Sequence, residues 1–215
     1  MPTGNFGNVL AGWYAKRMGL AVDQLIVASN RNDVLTRAME TGALEAEAVV
    51  PSLSPSMDIQ VSSNFERLLW EAGDRNGAAV AELLTTFRSE GRAEVPAAWM
   101  ERIGAEFDFG RLDDEGTIAE IARVYDELGV LIEPHTAVGL EVGRRLRTDP
   151  SVPLVVLGTA HPAKFGAAVE QATGVHPELP GFLSELHDRP EYVTTVDNDL
   201  GAVVEQLRDL RGHNA

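Results

Sequence analysis

Thr3-Gly4-Asn5-Phe6-Gly7-Asn8 runs directly into Val9, Leu10, Trp13, Tyr14 and Met18, so a glycine-containing turn opens a helix with an apolar stripe. Free backbone N–H groups at a helix start, with the positive end of the macrodipole behind them, attract phosphate, and glycine lets a ligand approach the backbone closely. The same residues also fit an Asn-capped helix start with no ligand, and two glycines do not by themselves separate the readings. A phosphate loop is held by the strand that leads into it. Only Met1 and Pro2 precede this one, so a truncated chain is expected. His135 and His161 could pass for an acid–base or metal pair, but zinc needs at least three protein ligands at a helical or loop spacing that is not found. His161 is better read as ordering its loop, with Pro162 fixing the chain direction before the next helix. Asp58, Ser62, Ser63 and Asn64 are polar residues on the approach to a helix that could face a substrate, and Ser63 is accounted for as a cap. Lysine is scarce: Lys16 and Lys164 are the two in the chain.

Helical periodicity dominates the elements that must position these residues. From Thr117, the stripe Ile118, Ile121, Ala122, Tyr125, Leu128 is preceded by a capping box of Thr117 with Glu120 and followed by Gly129 as a C-terminal cap. A similar box, Ser63 with Glu66, precedes Phe65, Leu68, Leu69 and Ala72, with Gly73 as the stop. Val80, Leu83, Leu84 and Phe87 before Gly91 give another helix, and Leu200, Val203, Val204, Leu207 and Leu210 give the last. Leu25 to Ala28 and Val152 to Leu157 are nearly continuous apolar runs, the pattern of parallel strands buried on both faces. Ala48 to Val50 and Tyr192 to Val196 are weaker strand candidates. Helix, strand, helix order predicts an α/β fold, a partial doubly wound, mostly parallel sheet flanked by helices. Three parts are expected: residues 1–90 with the loop and the first α/β part, an excursion at 91–116 carrying Pro96 and several acids, and 117–215 completing the domain.

The 215 residues carry 33 acidic against 18 basic side chains, a formal charge of −15 that would repel a nucleic-acid backbone or an anionic membrane surface. No apolar run approaches the ~20 residues needed to cross a bilayer, and no signal peptide is recognisable at the start, so a cytoplasmic location is expected. With no cysteine, disulfides and thiolate metal sites are ruled out.

Pro2-Thr3-Gly4-Asn5-Phe6-Gly7-Asn8, followed by Ala11-Gly12-Trp13-Tyr14-Ala15-Lys16, resembles the phosphate loop and following helix of threonine synthases, fold-type II enzymes of pyridoxal 5′-phosphate (PLP). The resemblance continues in family order through Ala28 to Leu35, Ser54 to Arg67, Pro134 to Gly139 and Thr159 to Phe165. Met57 to Arg67 and Thr159 to Phe165 separate it from other type II PLP enzymes such as dehydratases and sulfhydrylases.

The resemblance implies a lyase that converts O-phosphohomoserine and water to threonine and phosphate. It implies that Gly4, Asn5, Phe6, Gly7 and Asn8 bind the cofactor phosphate; the family often has Asp where Asn8 stands. Thr159 matches the residue whose hydroxyl faces the pyridine nitrogen, and the carboxyl end of a strand is where α/β sheets bind ligands. Taken alone, Thr159 reads rather as a strand-end threonine bonded to local backbone; the block Thr159 to Phe165 reverses that reading. The lysine that carries the cofactor belongs to the family's amino-terminal half; neither Lys16 nor Lys164 matches it, so no catalytic residue is assigned. The expectation is a carboxy-terminal fragment, inactive alone and prone to self-association through exposed sheet edges. The alternative is a non-catalytic remnant that binds phosphate or PLP, or the partner of a complementary chain.

Overall fold

The computed structural model describes residues 1–212 and is α/β. Its centre is β1, Leu25–Ser29, in which all five residues are buried. Leu25 and Val27 pack into one apolar cluster with Phe6, Trp13 and Phe107, while Ile26 and Ala28 pack into a second with Met57, Val138 and Val142. Alternate side chains of a strand point to opposite faces, so a continuous apolar run is what a strand covered on both sides requires.

Both edges of β1 are also paired. β4, Phe107–Arg111, lies parallel to it from Leu25↔Phe107 to Ser29↔Arg111. On the other edge Met1–Thr3 runs parallel: Ala28 N–H donates to Met1 O at 3.0 Å and Thr3 N–H donates to Ala28 O at 2.8 Å. The phosphate-loop candidate therefore does follow a short extended segment held in the sheet.

Between β1 and β4 the chain makes α2 (Val34–Thr41), β2 (Ala43–Glu45), α3 (Phe65–Ala72), α4 (Gly77–Glu90), β3 (Arg92–Glu94) and α5 (Ala97–Gly104). β2 and β3 form a separate antiparallel pair. The stretch 91–116, expected to be an excursion, thus supplies the strand that pairs with β1. Gly91 and Gly129 cap α4 and α6 (Asp114–Leu128) at φ 74° and 66°, left-handed conformations that glycine adopts without a Cβ penalty.

Several local expectations are corrected. The apolar run Val152 to Leu157 is not a strand, because no neighbouring strand among the described residues pairs with it. Its even positions lie against the small-residue side of α7 (Pro134–Leu146): a Cβ on Gly143 would come within 3.3 Å of Leu154 Cδ1, and one on Gly139 within 3.2 Å of Val156 Cγ1. Its odd positions face out, Val155 being 74% exposed. Of the two runs expected to expose a sheet edge, β1 is paired on both sides and Val152 to Leu157 lies in no sheet.

Ala48 to Val50 and Tyr192 to Val196 form no strand either. Neither capping box forms. α6 begins three residues before Thr117 with Asp113 as its cap, which accepts from Gly116 N–H at 2.8 Å. Glu120 is buried in a pair with Arg123 and Arg144, whose guanidinium grips both carboxylate oxygens at 2.8 and 2.9 Å and ties α6 to α7. Ser63 donates to Asn5 Oδ1 rather than to the start of α3.

Met1–Glu178 forms one compact unit and the residues from Leu179 onward a second. The second contains short helical turns at Gly181–Leu183 and Leu186–Asp188 and the helix α9, Leu200–Gly212. The first also contains α1 (Gly7–Arg17), a turn at Pro162–Phe165 and α8 (Gly166–Thr173).

Candidate functional site

α1 starts at Gly7, and its cap is Phe6, with no side-chain cap and no acidic residue in the first turn. Asn8 lies inside the first turn, so the simple Asn-cap reading does not hold. Phe6 adopts φ 61° and ψ 7°, a left-handed conformation that costs a non-glycine residue about 1–2 kcal/mol. Burial of its ring holds it there: it is 1% exposed, edge-on to Phe65 at 5.2 Å and tilted against Phe107 at 5.6 Å.

The result is a turn whose backbone donors are left over. Among the described residues, none of the N–H groups from Gly4 to Val9 donates to a protein acceptor; the first intrahelical bond is Leu10 N–H to Phe6 O at 3.1 Å. Such a donor set fits a phosphate dianion.

The carbonyl side of the same turn is occupied. Gly4 O accepts from Ser62 Oγ at 2.8 Å, and Asn5 O accepts from Asn64 N at 3.1 Å and Asn64 Nδ2 at 2.9 Å. Gly4 itself is pressed against this segment, where a Cβ would lie 2.8 Å from Ser56 O.

The segment that meets the turn is fixed from two directions. Asp58 Oδ1 accepts from Asn30 Nδ2 (2.8 Å), Asn32 Nδ2 (2.9 Å) and Ser52 Oγ (2.6 Å), and its Oδ2 accepts from Ser52 N (2.9 Å). Asn30 and Asn32 directly follow β1 and are buried.

From the other direction, Ser56 N–H donates to His135 Nε2 at 3.2 Å, which places the ring proton on Nδ1, facing Glu133 Oε2 at 2.6 Å. Glu133 caps α7, is fully buried, and also accepts from His135 N–H (2.8 Å), Thr136 N–H (2.7 Å) and Thr136 Oγ1 (2.6 Å). Burial is the largest influence on its carboxyl and opposes ionisation. The hydrogen bonds from His135 and Thr136 together outweigh it and hold the group below the usual carboxylate range.

Thr159 lies two residues past Leu157, exposed, with no hydrogen bond among the described residues; the local backbone bond expected of an ordinary strand-end threonine is not made. The run and the loop share one neighbour. A Cβ on Gly139 would lie 2.8 Å from Pro2 Cδ and 3.2 Å from Val156 Cγ1, so α7 carries a glycine where both segments cross it.

His161 accepts from Ala163 N–H at 3.2 Å and caps the turn at Pro162, the ordering role its sequence context suggests. Neither lysine reaches the loop's donors from its own partners: Lys16 pairs with Glu106 at 3.1 Å, nine residues along α1 from Gly7 or roughly 13 Å of rise, and Lys164 stacks over Phe165. No group of three or more potential metal ligands occurs among the described residues. Asp58 and His135 stand out in the sequence, but their partners do not: Asp58 bonds Asn30, Asn32 and Ser52, and His135 pairs with Glu133 rather than with His161.

A family model described as threonine synthase, C-terminal, matches residues 136–207. The threonine synthase of Pseudomonas aeruginosa is 50% identical over 204 residues, 94% of this chain and 44% of that protein, and that of Corynebacterium glutamicum is 39% identical over 97% of this chain. By sequence and fold, the chain is similar to the carboxy-terminal part of the threonine synthases. The PLP-bound threonine synthase of Brucella melitensis superposes with a TM-score of 0.90 at 47% identity, covering 97% of this chain and 45% of that one. The Escherichia coli enzyme gives 0.71 at 30% identity. The chain spans a little under half the length of these relatives.

Proposed function

We propose that this chain supplies the cofactor-phosphate grip and the pyridine contact of a PLP-dependent threonine synthase, the lyase that turns O-phosphohomoserine and water into threonine and phosphate. The observation that carries the reading is the row of uncommitted N–H donors from Gly4 to Val9 at the start of α1. Gly4, Asn5, Phe6, Gly7 and Asn8 hold the cofactor phosphate, and the Thr159 hydroxyl faces the pyridine nitrogen. When bound, the cofactor supplies the electron sink for the carbanion chemistry. A neutral hydroxyl at the nitrogen, unlike a carboxylate, does not hold that nitrogen protonated. No side chain here is assigned to proton transfer, and the lysine anchor comes from the part of the enzyme that these residues do not cover. The same reading has the exposed side of Val152 to Leu157 meet another polypeptide, either that part or a second copy.

Reconstitution tests it. This chain is combined with the amino-terminal part of the P. aeruginosa relative, with that relative's own carboxy-terminal part as the positive control. Threonine and phosphate should appear from O-phosphohomoserine only when both parts are present. A control pair that works beside a mixed pair that stays dead contradicts the proposal. Alone, the chain should not fix PLP on one buried lysine after borohydride treatment, and peptide mapping that finds a single modified lysine would overturn that part.

A further inference from the structure

The donors of the loop are uncommitted because its carbonyls are committed, and the residues that commit them lie far away in sequence. A peptide unit is planar and trans, so its C=O and N–H point in opposite directions. Ser62 Oγ holds Gly4 O, and through that peptide unit fixes the direction of Asn5 N–H. Asn64 holds Asn5 O with both its backbone N–H and its side-chain amide, and so fixes Phe6 N–H. Two of the central donors are thereby aimed away from the Ser54 to Asn64 segment.

We propose that Ser62 and Asn64 are positioning residues of the phosphate grip and that Asp58, whose side chain bonds Asn30, Asn32 and Ser52 and not the loop, is their anchor; this rests on the reading of Gly4 to Asn8 as that grip. Asp58 ties the segment to Asn30 and Asn32 after β1 through its Oδ1, and to the Ser52 N–H through its Oδ2. His135 holds Ser56 N–H from α7. The close approach of Ser56 O to Gly4 completes a bridge from β1 and α7 to the loop. The bridge prepays the ordering of a turn that would otherwise be ordered at the expense of ligand affinity.

The test uses the 215-residue chain and inorganic phosphate. Backbone ¹⁵N relaxation and phosphate titration are followed for wild type, the double variant Ser62→Ala/Asn64→Ala, Ser62→Thr and Asp58→Ala. In wild type the Gly4 to Val9 amides should have order parameters near those of rigid backbone, about 0.85, and shift with phosphate. In the double variant they should fall toward about 0.6 with at least a tenfold loss of phosphate affinity, while α4 and α6 stay rigid. Ser62→Thr, which keeps the hydroxyl, should restore the wild-type order. Asp58→Ala should loosen the same amides without contacting them. Unchanged loop order in the double variant overturns the proposal. Loop order lost in the double variant, with no phosphate response even in wild type, leaves the bridge standing and removes the grip reading beneath it.

Discussion

β1 and the run Val152 to Leu157 look alike in sequence and differ in the folded chain. Leu25–Ser29 is paired on both edges and covered on both faces. Val152 to Leu157 has no ladder, half-buries only alternate side chains, and leaves Val155 largely exposed. An apolar run reports a capacity for burial. Whether it becomes a strand depends on what lies beside it, and that information sits elsewhere in the chain.

Substitution of a charge into each run is the sharpest way to break this contrast. Val27→Asp buries an unpaired carboxylate in the main core and should cost more than about 4 kcal/mol, abolishing cooperative unfolding. Val155→Asp should stay within about 0.5 kcal/mol of wild type by denaturant melting. If the two substitutions cost the same, the described difference between the runs is wrong.

The next effect concerns α7, which serves both regions. Glu133→Ala removes the cap and strands the His135 ring proton and the Thr136 donors in a buried site, so a loss of about 3 kcal/mol is expected in urea melts. Because the folded-state pKa of Glu133 is depressed, its contribution is full above the ordinary carboxylate pKa and disappears as pH falls through the lower folded value. Glu133→Gln should therefore show a flatter loss of stability on acidification than wild type, and equal slopes would refute this.

Gly139→Ala is the intermediate case. The added methyl meets Pro2 at 2.8 Å, between α7 and the segment leading into the loop, and overpacking outweighs the gain in helix propensity. A net loss of about 1–2 kcal/mol is expected, and a stabilised variant would show that the contact relaxes freely.

The smallest effect is at the expected capping box. Ser63→Ala removes only an exposed 3.3 Å bond to Asn5 and should change the melting midpoint by less than about 0.5 kcal/mol, where a true helix cap would cost about 1 kcal/mol.

The features legible in the sequence were those with a local cause. Gly91 and Gly129 announced helix ends because a left-handed cap wants glycine, and Leu25 to Ala28 announced a doubly covered strand because both its faces needed apolar side chains. β4 escaped notice because Phe107-Asp108-Phe109-Gly110-Arg111 mixes exposed charge with a glycine, and its pairing with β1 joins residues about eighty apart. The carboxylates misled for a similar reason. Glu120 sits three residues after Thr117, as a capping box would have it, yet its partners include Arg144 on another helix. Ser62 and Asn64 stood out in the sequence as polar residues, but their bonds to the carbonyls of Gly4 and Asn5 did not, since these span 58 and 59 residues of chain.

The account stands most directly on whether the turn from Gly4 to Val9 grips a phosphate borne by a pyridine ring. Amide spectra of the chain titrated with pyridoxamine 5′-phosphate, and separately with pyridoxamine, decide it without any aldehyde to react with Lys16 or Lys164. The account predicts that the phosphorylated compound shifts the Gly4 to Val9 amides together with Thr159, and that pyridoxamine leaves Gly4 to Val9 unmoved. Shifts confined to other surfaces, or the same response to both compounds, would contradict it.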